Sequence, residues 1–135
     1  MSAVNIVQAT GKRKTSVARA TVKKGTGIIY INNQEIKEYI TNNLLNLRAR
    51  EPLMLADMEG KFDIIIKVFG GGQNSQVDAI RQAIAKALVE ITGKDDLKKK
   101  FLAYDRSLLI ADTRFKETKK PNNSHARASR QKSYR

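Results

Sequence analysis

Three consecutive glycines, Gly70-Gly71-Gly72, form the segment best suited to hold a phosphate, because a strand is predicted before them and a helix after them. At such a junction, backbone N–H groups at the helix start can donate to an anion. A P-loop, however, needs a Lys followed by Ser or Thr after its glycines, and a dinucleotide-binding loop needs a glycine where Ser75 stands. Both parts are missing, so a tight turn is favoured over a small-nucleotide site. An RNA phosphate bound at the loop stays open as a third interpretation.

Residues for catalysis or metal binding are scarce. The chain has no cysteine and one histidine, His125, which excludes thiolate sites and a multi-histidine metal site within one chain. Asp95 and Asp96 lie at a predicted helix start, where the helix dipole favours acidic side chains. We therefore expect no enzyme activity, no cofactor and no small-molecule substrate.

A basic segment at residues 10–16 joins the first two predicted strands and carries Lys12, Arg13 and Lys14 without an acid. Arg19 follows in the second strand. Uncompensated cations in a short turn favour contacts with a nucleic-acid backbone over a merely solvated hairpin tip. These four residues are predicted to bind RNA, together with Gly70, Gly71 and Gly72.

The net charge of +13 is concentrated at the two ends of the chain. Residues 1–24 hold six cations and no acid, residues 25–101 hold eleven cations and ten acids, and residues 102–135 hold nine cations and three acids. Blocks of like charge typically mark arms that bind polyanions. No run of about 18 apolar residues appears, so a membrane partner is not expected.

The C-terminal segment has too few apolar residues to fold alone. Residues 118–135 contain six cations, no acid, and only two Ala and one Tyr as apolar residues. Such a composition predicts disorder until RNA neutralises the charge. The predicted RNA contacts in this arm are Lys119, Lys120, Arg127 and Arg130.

Hydrophobic periodicity predicts a two-layer α/β (α+β) sandwich, with helices on one face of a four-stranded mixed sheet and a long basic C-terminal extension. Residues 1–103 should form the globular domain and residues 104–135 the tail. Strands are predicted at residues 4–10, 15–22, 28–31 and 62–69, the last of them central. Helices are predicted at residues 35–40, at 41–51 with a further turn at 53–56, at 75–92 and at 95–102.

Several local expectations accompany these elements. Residues 11–14 and 23–27 are predicted as turns, the second closing a hairpin between neighbouring strands. Pro52 should interrupt its helix. Ser75 and Asp78 indicate a capping box, Gly93 a C-cap, and Arg81 and Gln82 should lie on the outward side of their helix.

Three segments of the sequence resemble one family. Thr-Gly-Lys-Arg-Lys-Thr-Ser-Val-Ala-Arg-Ala at 10–20 is similar to the opening signature of the ninth protein of the small ribosomal subunit. Phe-Gly-Gly-Gly at 69–72, with Gln76 and Ala-Ile-Arg-Gln-Ala-Ile-Ala at 79–85, resembles its central motif. Ser-Arg-Gln-Lys-Ser-Tyr-Arg at 129–135 resembles its C-terminus in the archaeal and eukaryotic branch.

The resemblance implies a left-handed βαβ crossover and a structural place in the head of the cytoplasmic small ribosomal subunit. Expected partners are the subunit's rRNA, neighbouring ribosomal proteins of the head and the peptidyl-site tRNA. The tRNA contact would fall to Arg135, with Tyr134 and Lys132 nearby. A free nucleic-acid-binding regulator outside the ribosome is the alternative, and an NTP-using enzyme at the triglycine loop is a third.

Overall fold

The computed structural model describes residues 5–129, 131 and 133. These residues form five strands, four α-helices and one 3₁₀ helix. The strands are β1 Val7–Arg13, β2 Ser16–Lys24, β3 Ile29–Ile31, β4 Gln34–Glu35 and β5 Phe62–Phe69. The helices are α1 Ile36–Tyr39, α2 Asn43–Leu55, α3 Gln73–Thr92 and α4 Asp95–Tyr104, followed by the 3₁₀ helix Arg106–Leu108.

The strands form one mixed sheet in the order β1-β2-β5-β3-β4. Only the β3–β5 pair is parallel among the described strands, and its connection runs through β4, α1 and α2. The predicted two-layer α+β architecture is confirmed, as is the inner position of β5. The predicted number of four strands was too low, since Gln34 and Glu35 add a short edge strand after a turn at Asn32 and Asn33, both with positive φ. The left-handed crossover stays a prediction.

Small residues on β1 and β2 let α3 lie close to the sheet. Ala18 and Ala20 are buried beneath this helix, as the alternation of β2 predicts. Gly11 on β1 faces the same way, and a Cβ there would overlap the carbonyl oxygen of Ala79 on α3. Ile64 and Ile66 of β5 complete this inner face of the sheet. The core therefore lies between the sheet and α3.

The opposite side of the sheet, called the outer face below, carries alternate residues of β1, β2, β5 and β3. Strand register places them in three rows across the sheet. The rows are Lys12–Val17–Phe69, Thr10–Arg19–Lys67 and Gln8–Thr21–Ile65–Tyr30. Most of these side chains are exposed, which contrasts with the apolar inner face.

The predicted turns at the ends of β2 need correction. At the N-terminal end, β1 continues to Arg13, so only Lys14 and Thr15 form the turn, with Lys14 at φ 52°. At the other end, residues 23–27 do not close a hairpin, because β5 pairs with β2 where β3 was expected.

Asp63 on β5 explains the path after β2. Its carboxylate accepts hydrogen bonds from the backbone N–H groups of Ile28, Thr26 and Gly27 at 2.9–3.1 Å. The Ile28 N–H, followed by those of Thr26 and Gly27, lowers the pKa of Asp63 below its usual value against the opposing effect of desolvation. The chain thus turns around the first residues of β5.

Two helix boundaries also differ from the prediction. Pro52 lies inside α2, where its side chain is buried and its neighbour Leu53 packs in the core, so tertiary packing outweighs the intrinsic cost of proline. The N-cap of α3 is Gly72, and Ser75 is the third helical residue, whose Oγ accepts from the Gly72 N–H at 3.1 Å. Gly93 ends α3 in the left-handed conformation, as predicted.

Arg81 and Gln82 are buried, contrary to the prediction of an outward position, because α2 and the segment after α4 cover a second side of α3. Arg81 Nε lies 2.8 Å from Glu51 Oε2 of α2, and its NH1 lies 3.0 Å from Asp105 Oδ2. Gln82 Oε1 accepts from the Lys12 N–H at 2.8 Å. Burial raises the pKa of Asp105, but hydrogen bonds from the N–H and hydroxyl of Ser107 and from Arg81 outweigh it, so the net pKa is lowered.

Candidate RNA-binding surfaces

The predicted hairpin cations lie on both sides of the sheet. Lys12 and Arg19 are exposed on the outer face, on adjacent strands, and Lys14 is exposed in the turn. Arg13 points to the other side and is half-buried. The hairpin therefore presents three of its four predicted RNA contacts to solvent.

Arg13 instead links the hairpin to the start of the C-terminal arm. Its NH1 lies 2.8 Å from Asp112 Oδ2, and its Nε lies 3.9 Å from Asp78 Oδ2 of α3. The backbones of Arg13 and Asp112 form a parallel bridge. Asp112 also binds Arg114, whose guanidinium and backbone N–H hold the pKa of that carboxyl well below its usual range. The two basic ends of the sequence thus meet at one place in the fold.

The triglycine loop packs tightly against the β1–β2 turn. Gly70 and Gly71 have φ values of 78° and 63°, which favour glycine. A Cβ on Gly70 would overlap the carbonyl oxygen of Thr15, and one on Gly71 would overlap Ser16 Oγ. The Gly70 carbonyl accepts from Ser16 Oγ at 2.9 Å.

The third glycine differs from the first two. Gly72 is exposed, and a Cβ there would have open space around it. Two of the three glycines are therefore explained by turn geometry and close packing, the interpretation favoured from sequence. The part these glycines play toward RNA stays a prediction.

The C-terminal arm leaves the globule after a last apolar contact. Leu108 of the 3₁₀ helix is fully buried, so the packed core continues past residue 103. Residues 113–129 contain no helix or strand. Lys119 and Lys120 are exposed, and Arg127 Nε lies 2.8 Å from Glu117 Oε2 with its side chain still 87% exposed. Arg130, Lys132, Tyr134 and Arg135 lie outside the described residues.

Other site types find little support in the part of the chain that the structure describes. It contains no cluster of three or more acidic or histidine side chains placed to bind a metal ion. No described helix combines the length and apolar character needed to cross a membrane.

Comparison with known proteins identifies the family. The sequence model for ribosomal protein S9/S16 matches residues 11–135, nearly the whole chain. The chain belongs to the ribosomal protein S9/S16 family. Proteins named small ribosomal subunit protein uS9 from two strains of Methanococcus maripaludis are 47% identical over 135 residues, covering 98% of this chain and 100% of each relative. A protein of the same name from Methanococcus vannielii is 44% identical with the same coverage.

Membership in the S9/S16 family confirms the resemblance drawn from the three motifs. All three lie in the matched region except for Thr10, the first residue of the opening signature. Sequence reasoning missed Lys67, which lies directly opposite Arg19 on the outer face. Alternation along β5 places Lys67 on the same side as Ile65 and Phe69, but a single cation in an apolar strand gave no reason to select it.

Proposed function

We propose that this S9/S16-family chain is a structural component of the small ribosomal subunit that binds the subunit's rRNA. The observation that carries the proposal is the family match, which extends from the basic hairpin through the whole basic arm. The relatives named small ribosomal subunit protein align over 98% of the chain, so the similarity covers both the globule and the basic arm. The chain would act without catalysis, on ribosomes in the cytoplasm and beside other proteins of the subunit head.

The fold supports this function by anchoring the arm. Arg13, Asp112 and Arg114 hold the root of the arm against the end of β1, so the arm starts beside the exposed hairpin cations. Lys12 and Lys14 are therefore available to the same RNA region that the arm enters. We propose that the globule, with Leu108 in its core, sets the position of the arm and that the part of residues 104–135 beyond Asp112 becomes ordered on RNA.

The tip of the arm is proposed to contact the anticodon stem-loop of the peptidyl-site tRNA. The family resemblance assigns this contact to Arg135, with Tyr134 and Lys132 near it. Eighteen extended residues span roughly 60 Å, so an arm anchored at Asp112 has the reach to touch a partner beyond the globule's own surface. Arg suits phosphate recognition, and Tyr can stack on an unpaired base.

Co-sedimentation tests the ribosomal assignment. The tagged full chain should comigrate with small subunits on a sucrose gradient and remain there after a high-salt wash that removes loosely bound proteins. A chain that stays at the top of the gradient while binding nucleic acid would contradict the assignment and favour a free regulator. A chain that binds ATP tightly, with a rise in Tm, would instead favour the enzyme hypothesis.

The tRNA contact needs a separate test. Small subunits carrying a chain with Arg135 deleted should keep full protein occupancy but release peptidyl-site tRNA faster. Lys119→Gln is the matched control, because it removes one charge from the middle of the arm. Normal tRNA dissociation at full occupancy would show that the tip does not act on tRNA. Lost occupancy would show that the tip belongs to the assembly anchor.

A further inference from the structure

The centre of the outer face carries two like charges on directly paired residues of neighbouring strands. Arg19 on β2 and Lys67 on β5 are direct cross-strand partners, and both are exposed. Lys12 on β1 adds a third cation to the same face, whereas Lys23 on β2 lies directly opposite the acid Asp63. Within the described residues, neither Arg19 nor Lys67 forms an ion pair.

Like charges placed directly opposite each other destabilise a sheet. The two acids on this side do little to relieve the repulsion. Asp63 lies four residues from Lys67 and is engaged by the N–H groups of Thr26, Gly27 and Ile28. Glu35 pairs with Tyr30 on the edge strand, beyond β3. Arg19 and Lys67 therefore remain free to bind anions from outside the chain.

Large apolar side chains lie on both sides of this cation pair. Phe69 is 56% exposed and follows Lys67 by two residues on β5, about 7 Å along the strand. Ile65 precedes Lys67 by two residues, and Tyr30 lies beside Ile65 on β3. An aromatic ring, a row of cations and a second ring thus succeed one another along the face.

This combination selects the class of anion. Aromatic side chains on an open sheet stack on bases that are free of a duplex, while neighbouring cations bind the phosphates between them. A duplex keeps its bases stacked inside and would leave Phe69 without a partner. An acidic peptide would satisfy the charges but has no planar group for the rings.

We propose that the outer face binds an unpaired segment of RNA. Its phosphates contact Arg19 and Lys67, and its bases stack on Phe69 and Tyr30. The choice of RNA over other polyanions rests on the proposed ribosomal function. The centre of the face, at Arg19 and Lys67, is a second RNA surface beside the one that the arm and Lys12 share, because Arg13 and Asp112 join the arm to the inner side of the hairpin.

The test uses the full chain and a fluorescent twelve-nucleotide oligouridylate, with an RNA duplex of the same length and a polyglutamate peptide as comparison probes. The variants are Phe69→Ala and the double substitution Arg19→Gln with Lys67→Gln. The double substitution Lys98→Gln with Lys99→Gln is the control, because it removes the same charge from exposed positions on α4. A Tm no lower than that of the wild-type chain establishes that each variant is folded.

Phe69→Ala should weaken oligouridylate binding roughly fivefold or more and leave duplex binding unchanged. The Arg19 and Lys67 double variant should lower the log–log salt slope of binding by about 1.4, because it removes two phosphate contacts of roughly 0.7 each. This decrease should be larger than that of the α4 control. Equal losses in the double variant and its control would overturn the proposal, as would an unaffected Phe69→Ala. Equal loss of duplex binding would assign the face to duplex RNA, and stronger polyglutamate binding would assign it to an acidic protein.

Co-sedimentation of the wild-type chain separates this inference from the proposed function. A wild-type chain absent from small subunits would defeat the ribosomal assignment. A wild-type chain that sediments with them, combined with outer-face variants that bind oligouridylate normally, would defeat only the assignment of the outer face.

Discussion

The two sides of the molecule differ in whether their cations have acidic partners. On the helix-covered side, Arg81 of α3 is buried between Glu51 and Asp105, and Arg13 of β1 is held by Asp112. On the outer side, Arg19 and Lys67 face each other without an acid between them. The charge totals of the sequence blocks do not reveal this difference, because the acids that hold Arg81 and Arg13 come from α2 and from the segment after α4. Arg13 and Arg81 therefore join parts of the fold, whereas Arg19 and Lys67 are left without an internal acid among the described residues.

The inner side should tolerate no added atom at its closest approach. Gly11→Ala would place a methyl group on the backbone of Ala79 and Ala83, forcing α3 away from β1. The free energy of unfolding should fall by about 3 kcal/mol, measured by urea denaturation. Gly72→Ala is the control, since its Cβ would meet nothing within 4 Å. Equal stability of the two variants would show that the helix does not press on β1.

Loss of the buried Arg81 guanidinium should cause the second-largest decrease in the free energy of unfolding. Arg81→Met keeps the apolar stem but leaves Glu51 and Asp105 without their cation. Because both acids are partly solvated, we expect a loss of about 2 kcal/mol, less than for a fully buried pair. Arg106→Met, at an exposed position nearby, should change little. A neutral effect of Arg81→Met would mean that packing alone joins α2, α3 and the arm root.

The triglycine loop should show a smaller but position-specific effect. Gly71→Ala introduces a side chain at φ 63° and against Ser16 Oγ, so we expect a loss of roughly 1–2 kcal/mol in the free energy of unfolding. Gly72→Ala again serves as the control, since its backbone is extended. If both variants melt at the wild-type temperature while rRNA binding falls for Gly71→Ala alone, the glycine is kept for RNA rather than for the turn.

Acid should weaken the fold through its bound carboxylates. The pKa values of Asp63, Asp105 and Asp112 are all lowered in the folded chain from 3.8. The unfolded chain therefore takes up protons first as the pH falls, so this stabilisation is complete above about pH 5 and is lost progressively below about pH 4. Urea denaturation across this range should show a constant free energy of unfolding at the upper end and a decline at the lower end. A rise in stability on acidification would contradict the assignment.

The hydrophobic pattern of the sequence correctly predicted those elements whose buried and exposed sides follow from the spacing of their own residues. The alternation of β2 and β5, the apolar stripe of α3 and the left-handed Gly93 all follow from spacing within one element. The family, and with it the architecture, followed from three ordered motifs.

The errors arose where a distant segment changes the environment. Arg81 and Gln82 read as solvent-facing because periodicity reveals one buried side of α3, whereas α2 and the segment after α4 bury another. The segment 23–27 reads as a hairpin because nothing local shows that β5 inserts between β2 and β3. Lys67 stands out only because it pairs with Arg19 on the neighbouring strand, and the sequence of β5 alone does not show this pairing.

The smallest expected effect is the sharpest test of the contrast between the two sides. Arg19→Thr should raise the free energy of unfolding by up to about 0.5 kcal/mol, since it removes a like-charge pair and places a good strand former beside Thr10. Lys12→Thr is the control, because its cross-strand neighbour is the uncharged Val17. The gain should shrink in 1 M salt, where the screening length falls to about 3 Å.

The same substitution should weaken RNA binding, so stability and affinity should move in opposite directions. A loss of stability in Arg19→Thr would show that the stem of Arg19 packs on the sheet more than its charge repels Lys67. In that case no net repulsion between Arg19 and Lys67 would remain for an external phosphate to neutralise. The contrast between the cations that stabilise the fold and the cations proposed to bind RNA would then fail for Arg19 and Lys67.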